Sequence, residues 1–441
     1  MHRFLPTAAV FLVCLIPAAG QEAVNSAEEQ WLNNFQYVFA EQLLNTGVLA
    51  MEQGEFQLAE QNFSEAIQVI KVNNGLDSKF QIPALGKMIE ALLAQRRWEA
   101  VDQQLGYFDW LNLHNYYKNI YDYLEGSKEL SRLFLQASAD YTNPQSARYL
   151  IAAKNLNWQV VSAIETTLGT DHQLLVPWLY EIVLIHSYQS SLIKRRGMTS
   201  YEFKSESESD VIVSGWSIGR NESLQLSYSI GNELLERIRS LYAAREDTSA
   251  ATDAIMQVYL GDWELLFNNN RSALDHYRSA RQALAEANLN ADEIQQFFSK
   301  PTILPQRELN TEWPVTNALS VEDPLRFAAW STNYPALTVP SAFDSSEPSR
   351  FSVLATFNLR PLERSNAERV KLIADGSFGV HQLQIQNAVP DSGFVRDLAA
   401  RSIRQLKIRP RLESGSFVPS VGIQLEYIFS PEEQALIIGN N

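Results

Sequence analysis

The sequence predicts an α+β protein: an N-terminal all-α body of helix–turn–helix pairs stacked as a solenoid, followed by a small mixed α/β domain. Three observations lead there. Small and aromatic residues recur at helical intervals between Gly47 and Ala280. Prolines then punctuate residues 301–348, and beyond Phe351 apolar residues alternate with polar ones. The composition allows such a chain, since 45% of its 441 residues are hydrophobic and 11% aromatic, which is globular rather than disordered.

Charge and cysteine usage exclude several classes. With 51 acidic residues against 36 basic ones, the formal charge is −15 and no broad basic face is available for phosphates, so nucleic acid is not an expected partner. A single Cys rules out a disulfide framework and a thiolate zinc site.

Residues 1–20 have the three-part build of a secretory signal. Met1-His2-Arg3 is a short basic start, an apolar run follows from Phe4 to Ile16, and small residues stand at Ala18 and Gly20. Cleavage after Gly20 is expected, which would remove Cys14 and leave a chain beginning at Gln21 with no Cys. Such a chain suits an oxidising periplasm. The apolar run is shorter than the roughly 20 residues of a spanning helix, and no later segment is long and apolar enough, so no stable membrane insertion is expected.

The helical body is read over residues 21–300. Gly47, Ala50, Gly54, Phe56, Ala59, Phe63 and Ala66 follow steps of 3, 4, 2, 3, 4 and 3. The same steps carry Ile89, Leu92, Arg96, Trp98, Val101, Leu105 and Phe108, and again Gly261, Glu264, Asn268, Asn270, Ala273, Tyr277 and Ala280. Small residues at Gly47, Ala59 and Ala66 let two helices approach closely, and Phe56 and Phe63 fill the space beside them. Gly54 permits the turn between the helices, whereas the third copy lacks the usual turn residues. Helical periodicity from Leu174 to Ile193 and from Leu224 to Tyr242 continues the α structure between the copies. The pattern resembles the tetratricopeptide repeat, a helix–turn–helix unit of about 34 residues. The resemblance implies a solenoid whose concave face accepts a peptide or protein segment, with Trp98 and Trp263 as candidate groove residues.

Two interruptions follow from composition. Lys204 to Asp210 is acidic and polar and reads as a solvated loop. Residues 301–348 hold seven prolines and cannot continue a helix, so they read as a connector, with Trp313, Phe327, Trp330 and Tyr334 packed against something.

Residues 349–430 read as the second domain and 431–441 as a tail. Phe351 to Phe357 reads as a strand; Val370 to Ala374 runs into a turn at Asp375-Gly376, and Val380 to Ile385 alternates cleanly. Phe394 to Leu406 reads as a helix. Ile408 to Leu412 is expected to pair with Ser420 to Phe429 across a loop at Gly415, with Val421, Ile423, Leu425, Tyr427 and Phe429 on one apolar face. The run from Phe394 to Arg411, with Arg409-Pro410-Arg411, then Gly415 and a long strand ending in Phe429, resembles the TonB C-terminal domain. That resemblance covers roughly residues 369–429 and implies a helix on a small antiparallel sheet, and with it strand addition to a partner. Arg404, Lys407, Arg409 and Arg411 form a local basic cluster and are candidate contacts for an anionic partner.

Signals for chemistry are missing. The six His residues include no pair at ligand spacing on one helix, and HExxH, GxSxG, GxxxxGK[ST] and GxGxxG do not occur. No catalytic residue, metal or cofactor is expected. His172, at a helix start, reads as a capping or surface residue, His186 as a satisfied core residue, and Asp262 and Glu264 as exposed charges. The expected function is a non-enzymatic periplasmic adaptor for a protein or peptide partner; the alternative is a TonB-like energy transducer with an uncleaved N-terminal anchor.

Overall fold

A computed structural model describes residues 38–116, 118–139, 145–196, 220–245, 249–313, 325–328, 351–362, 377–429, 433–434 and 436–437. The expected signal at 1–20, the acidic run at 204–210, the strand at Val370–Ala374 with its Asp375-Gly376 turn, and Trp330 and Tyr334 lie outside them. The protein is mostly helical with a few strands, and its N-terminal part is entirely helical among the described residues. It divides into two compact units, Met1–Lys118 and Asn119–Asn441. The connector read from its prolines therefore falls within the second unit.

The first unit holds α1 (38–52), α2 (Phe56–Asn74), a 3₁₀ turn (Lys79–Gln81), α3 (Ile82–Ala94) and α4 (Trp98–Tyr116). Ala59, Phe63 and Ala66 on α2, and Val101, Leu105 and Phe108 on α4, are buried. Gly47 is required where it stands: a Cβ there would lie 2.4 Å from Cε1 of Phe63. The α3–α4 turn is tied back to α2 by Gln95, which donates to Phe56 O at 3.3 Å, and by Arg97 paired with Glu60 at 2.6 Å.

The second unit begins with α5 (Ile120–Ala139), α6 (Ser146–Leu168), α7 (Leu175–Arg196), α8 (Arg220–Ala243), α9 (Ala250–Leu266), α10 (Asn270–Glu286) and α11 (Ala291–Ser299). α9 is buried on nearly every face from Ala251 to Leu265. Its Gly261 repeats the Gly47 relationship, since a Cβ there would lie 2.6 Å from Cε1 of Tyr277 on α10.

Three hairpins share one turn geometry. Gly54, Arg96 and Asn268 all adopt left-handed backbone, with φ of 77°, 56° and 68°. The residue after each donates its N–H five residues back: Glu55 to Ala50 at 2.8 Å, Arg97 to Leu92 at 3.1 Å and Asn269 to Glu264 at 2.9 Å. These bonds satisfy helix-end carbonyls in the manner of a Schellman cap. The third copy therefore does have its turn residue, because Asn tolerates the left-handed region better than other side-chain-bearing residues.

The strands are β1 (Thr302–Leu304), β2 (Leu325–Ala328), β3 (Ser352–Pro361), β4 (Phe378–Val389), β5 (Lys407–Arg409), β6 (Arg411–Glu413), β7 (Ser416–Val418) and β8 (Ser420–Ile428), with α12 (Gly393–Arg404) between β4 and β5. The main sheet has the order β2-β8-β3-β4, parallel between β2 and β8 and otherwise antiparallel. α12 covers it through Val395, Leu398, Ala399 and Ile403. Ser392 caps α12 by accepting from Val395 N–H.

The expected pairing of Ile408–Leu412 with Ser420–Phe429 does not form. Pro410, which lacks an N–H, splits that stretch. β5 pairs instead with β1, and β6 forms a tight hairpin with β7 across Ser414 and Gly415, both at positive φ. β8 is taken by β3 and β2. Its apolar face is partly as expected: Leu425, Tyr427 and Phe429 are buried, whereas Val421 is 73% exposed. The connector contributes β1 and β2, Trp313 packs on Phe297 at 5.5 Å, and Phe327 stacks on Tyr427 at 5.5 Å. The tail is also not free of the core, since Ile437 is buried in it and Glu433 accepts from Tyr427 Oη at 3.0 Å.

Candidate functional site

The polar chemistry of the second unit converges on α9. A helix buried all round must satisfy each polar side chain it carries, because an unpaired buried group costs about 1–3 kcal/mol. Asp262 shows how. Its carboxylate accepts from Tyr277 Oη at 2.7 Å, from Gln306 Nε2 at 2.8 Å and from Arg409 Nη1 at 3.1 and 3.2 Å. Asp262 and Arg409 are each 4% exposed. Burial pushes the Asp262 carboxyl above its ordinary range, opposed by the Arg409 guanidinium and the bonds from Tyr277 and Gln306. Arg409 also donates to Thr302 at 2.9 Å and lies over the rings of Tyr277 and Phe297 at 5.7 and 5.5 Å.

Glu264 is buried as well, and accepts from Tyr228 Oη at 2.8 Å and from Asn269 Nδ2 at 2.7 Å. The reading of Asp262 and Glu264 as exposed charges is therefore corrected. Both point into the packed side of the helix, and each is supplied with donors from elements distant in sequence.

An irregular stretch, residues 305–312, bent at Pro305, Arg307 and Glu308, runs along the same helix. Tyr180 Oη donates to Gln306 O at 2.5 Å, Tyr259 Oη donates to Glu308 O at 2.7 Å and accepts from Asn310 N–H at 3.0 Å. The Tyr180 and Tyr259 rings meet edge to face at 5.7 Å. Burial raises both phenols well above their usual range, so they remain neutral donors at any physiological pH.

The four cations read as a partner-binding cluster take separate places. Arg409 is interior, which removes it from any surface contact. Lys407 donates to Asn268 Oδ1 at 2.6 Å, and desolvation lowers its ammonium. Arg411 pairs with Glu413 at 3.4 Å, and Arg404 is exposed on α12. The physical reason is the split at Pro410, which turns β5 towards α9 rather than leaving it on a solvated sheet face.

The repeat residues Gly47, Phe63, Ala59, Ala66, Val101, Leu105, Gly261, Ala273, Tyr277 and Ala280 lie on packed helix faces. Phe56 and Trp98 are only partly buried, at the starts of α2 and α4, and Gly54 has open space about it. Trp263, a candidate groove residue, is core instead: its indole donates to Tyr228 O at 3.0 Å and its ring packs against Gly231. His172 Nδ1 accepts from Leu174 N–H at 3.2 Å in the turn that precedes α7. His186 is buried but not satisfied, since Nδ1 lies 3.5 Å from Ser227 Oγ and Nε2 has no partner among the described residues.

Sequence reasoning missed Tyr180, Tyr259 and Gln306. One signal was present: Thr252, Tyr259 and Asp262 are polar groups spaced along one face of a helix rich in apolar residues.

No protein-family model matches the chain, and no curated protein matches it. Among solved structures, BtubC (BKLC) from P. vanneervenii is similar at 12% identity and a TM-score of 0.31, covering 62% of this chain and 91% of that one. A likeness at that level decides neither fold nor role.

The first unit has a separate feature, an aromatic row on α4 that is half-buried at Tyr107 and exposed at Trp110 and His114. Tyr107 stacks on Trp110 at 5.9 Å and Trp110 on His114 at 5.6 Å, with Lys71 Nζ 4.6 Å over Tyr107. Trp110 and Leu113 are about half exposed, and Leu76 and Phe80 are exposed beside the turn that Tyr107 bonds. Among the described residues, no group of His, Cys, Asp and Glu could hold a metal ion, and no helix is long and apolar enough to cross a membrane.

Proposed function

We propose that the chain is a non-enzymatic periplasmic adaptor, in which a tetratricopeptide-like solenoid and a TonB-C-like domain take up a protein or peptide partner. One observation carries the reading. The same glycine-against-aromatic contact and the same left-handed turn recur in hairpins far apart in sequence, at Gly47–Phe63 with Gly54 and at Gly261–Tyr277 with Asn268. Repeated hairpins of this kind stack into surfaces that accept extended segments. The stacked row of half-buried Tyr107 and exposed Trp110 and His114 supports the reading, because aromatics stacked outside a core mark contact surfaces.

For the C-terminal domain, support comes from the order helix, short strand, hairpin and long strand, and from β4 at the edge of the sheet among the described residues. That strand carries no Asp, Glu, Lys or Arg from Phe378 to Val389, where an edge is usually guarded by charge. Its two register shifts against β3 supply a different guard by bending the edge.

Crosslinking in cells followed by purification of the full chain tests the adaptor reading. A reproducible protein partner is expected, and recovery of none would sink it. Sequencing the N-terminus of the exported protein separates the adaptor from an anchored transducer, with a start at Gln21 expected.

A further inference from the structure

The aromatic row of α4 lies along the segment that joins α2 to α3. Tyr107 Oη donates to Leu76 O at 3.3 Å, Asn115 Nδ2 donates to Asp77 O at 3.3 Å, and His114 Nε2 stands 3.6 Å from the Asp77 carboxylate. The buried side chain of Gln81 donates to Leu76 O at 2.7 Å and accepts from Tyr107 Oη at 2.8 Å. The backbone of the segment is thus fixed from inside, while its apolar side chains remain in water. Val72, on the last turn of α2, is 80% exposed and Leu76 is 71% exposed, with Phe80, Trp110 and Leu113 each about half exposed.

Shape and charge decide what such a surface meets. Val72 and Leu76 project from it rather than line a recess. A folded partner needs a pocket shaped for each, whereas the fluid interface of a bilayer closes around projecting side chains. Cations stand among them: Lys71 Nζ lies 4.6 Å over Tyr107, Lys79 is exposed between Leu76 and Phe80, and Lys118 Nζ bonds Asn115 Oδ1 at 3.3 Å. Over residues 71–81 and 107–118 these three lysines face two acids, Asp77 and Asp109, in a chain whose net charge is −15. Tryptophan, lysine and projecting aliphatic groups together are the chemistry of a membrane–water interface.

We propose that the first unit docks peripherally on an anionic lipid bilayer through this surface. Val72, Leu76, Phe80 and Leu113 enter the acyl boundary, Trp110 lies at headgroup depth, and Lys71, Lys79 and Lys118 meet lipid phosphates. Such contact reaches only about 5–10 Å into the interface and needs no spanning helix. At about 0.1 M salt a charge acts over roughly 10 Å, so distant acidic residues are screened from the lipid. The docking is independent of the adaptor reading, which stands on the repeated hairpins, and it assigns the aromatic row to lipid rather than to the partner.

The test is co-sedimentation of the full chain with vesicles of phosphatidylethanolamine holding about one-third phosphatidylglycerol, against vesicles of phosphatidylcholine alone. Partitioning should be at least about tenfold stronger on the anionic vesicles. Leu76→Ser with Trp110→Ser should weaken it by at least about tenfold and leave thermal unfolding near wild type. Lys79→Gln with Lys118→Gln should remove most of the preference for anionic lipid. If the Leu76 and Trp110 variant does not fold, quenching by lipids brominated in the acyl chain decides: wild-type tryptophan emission should be quenched, and Trp110→Phe should lose most of that quenching. A folded wild-type chain that ignores both vesicles, or binding that none of these substitutions changes, overturns the proposal. So does a protein partner captured in cells and lost with the Leu76 and Trp110 variant while vesicles are ignored, which would give the row to protein and leave the adaptor reading standing.

Discussion

The guanidinium of Arg409 bonds both carboxylate oxygens of Asp262, at 3.1 and 3.2 Å, across 147 positions of sequence. The pair joins β5 to α9, a helix buried on nearly every face. Nearby contacts follow the same seam: Arg278 donates to Gly415 O at 2.7 Å, Asn270 to Ser377 Oγ at 2.9 Å, and Phe417 meets Tyr277 at 5.9 Å. The helices from α9 onward and the small sheet therefore share packing.

Removing one partner of a buried ion pair strands the other charge, at about 3–5 kcal/mol. Arg409→Met should cost that much in urea unfolding of the full chain. Adding Asp262→Asn to it should recover part of the loss, so that the double variant falls short of the summed single losses by about 1–3 kcal/mol. A change within about 0.5 kcal/mol for Arg409→Met would mean the side chain faces solvent.

The two glycine contacts should differ in tolerance. Gly261→Ala drives a methyl into Tyr277, whose hydroxyl is pinned to Asp262, whereas Gly47→Ala meets Phe63, a ring with no such bond. Overpacking should cost about 1–3 kcal/mol at Gly261 and less at Gly47, against the roughly 1 kcal/mol that Ala gains in a helix. Thermal unfolding of the two variants ranks them, and equal melting shifts would contradict the argument.

At the Gly54 turn, backbone conformation alone is at stake. Gly54 has open space around it, so Gly54→Ala should lose about 1 kcal/mol through positive φ and nothing through packing. Asn268→Gly, at an equivalent turn, relieves little backbone strain and removes the acceptor of the Lys407 bond, so it should lose about 0.5–1.5 kcal/mol. Urea midpoints at unchanged slope provide the measurement.

Two buried groups on α7 give stability a dependence on pH from both sides. Burial raises Glu181 to about 8, with Lys128 opposing, so the folded state keeps a proton that the unfolded chain releases from about pH 4.5 upward. That contribution is complete below the unfolded value and is lost as the pH rises through about 8. Burial, helped by the charge of Lys154, lowers His186 to about 3, so the folded state refuses a proton that the unfolded chain takes up below about 6.5. Its contribution is complete above 6.5 and is lost as the pH falls towards 3. Glu181→Gln should stabilise the protein by about 1–2 kcal/mol at pH 8 and much less at pH 5. Denaturation curves at the two pH values check it, and a benefit that does not grow with pH would exclude Glu181 as the source.

How much was legible can be seen residue by residue. The spacing of Ala59, Phe63 and Ala66 predicts a packed helix face, and the alternation around Val380 to Ile385 predicts a strand, because both signals are complete within one turn or pleat of the chain. The four-cation cluster was not legible. Whether Arg409 faces solvent or Asp262 depends on Pro410 diverting its strand to β1, and on a helix that lies far back in sequence.

The sequence by itself determined the helical body, the turn from helices to strands, and the residues that pack each hairpin, since hydrophobic period and backbone preference act over a few neighbouring residues. Only the tertiary structure decided which charges are buried, which strands pair across the proline-rich stretch, and that residues 305–312 lie along α9. Burial of a polar group is set by the partner that meets it, and here those partners come from elements tens to more than a hundred residues away.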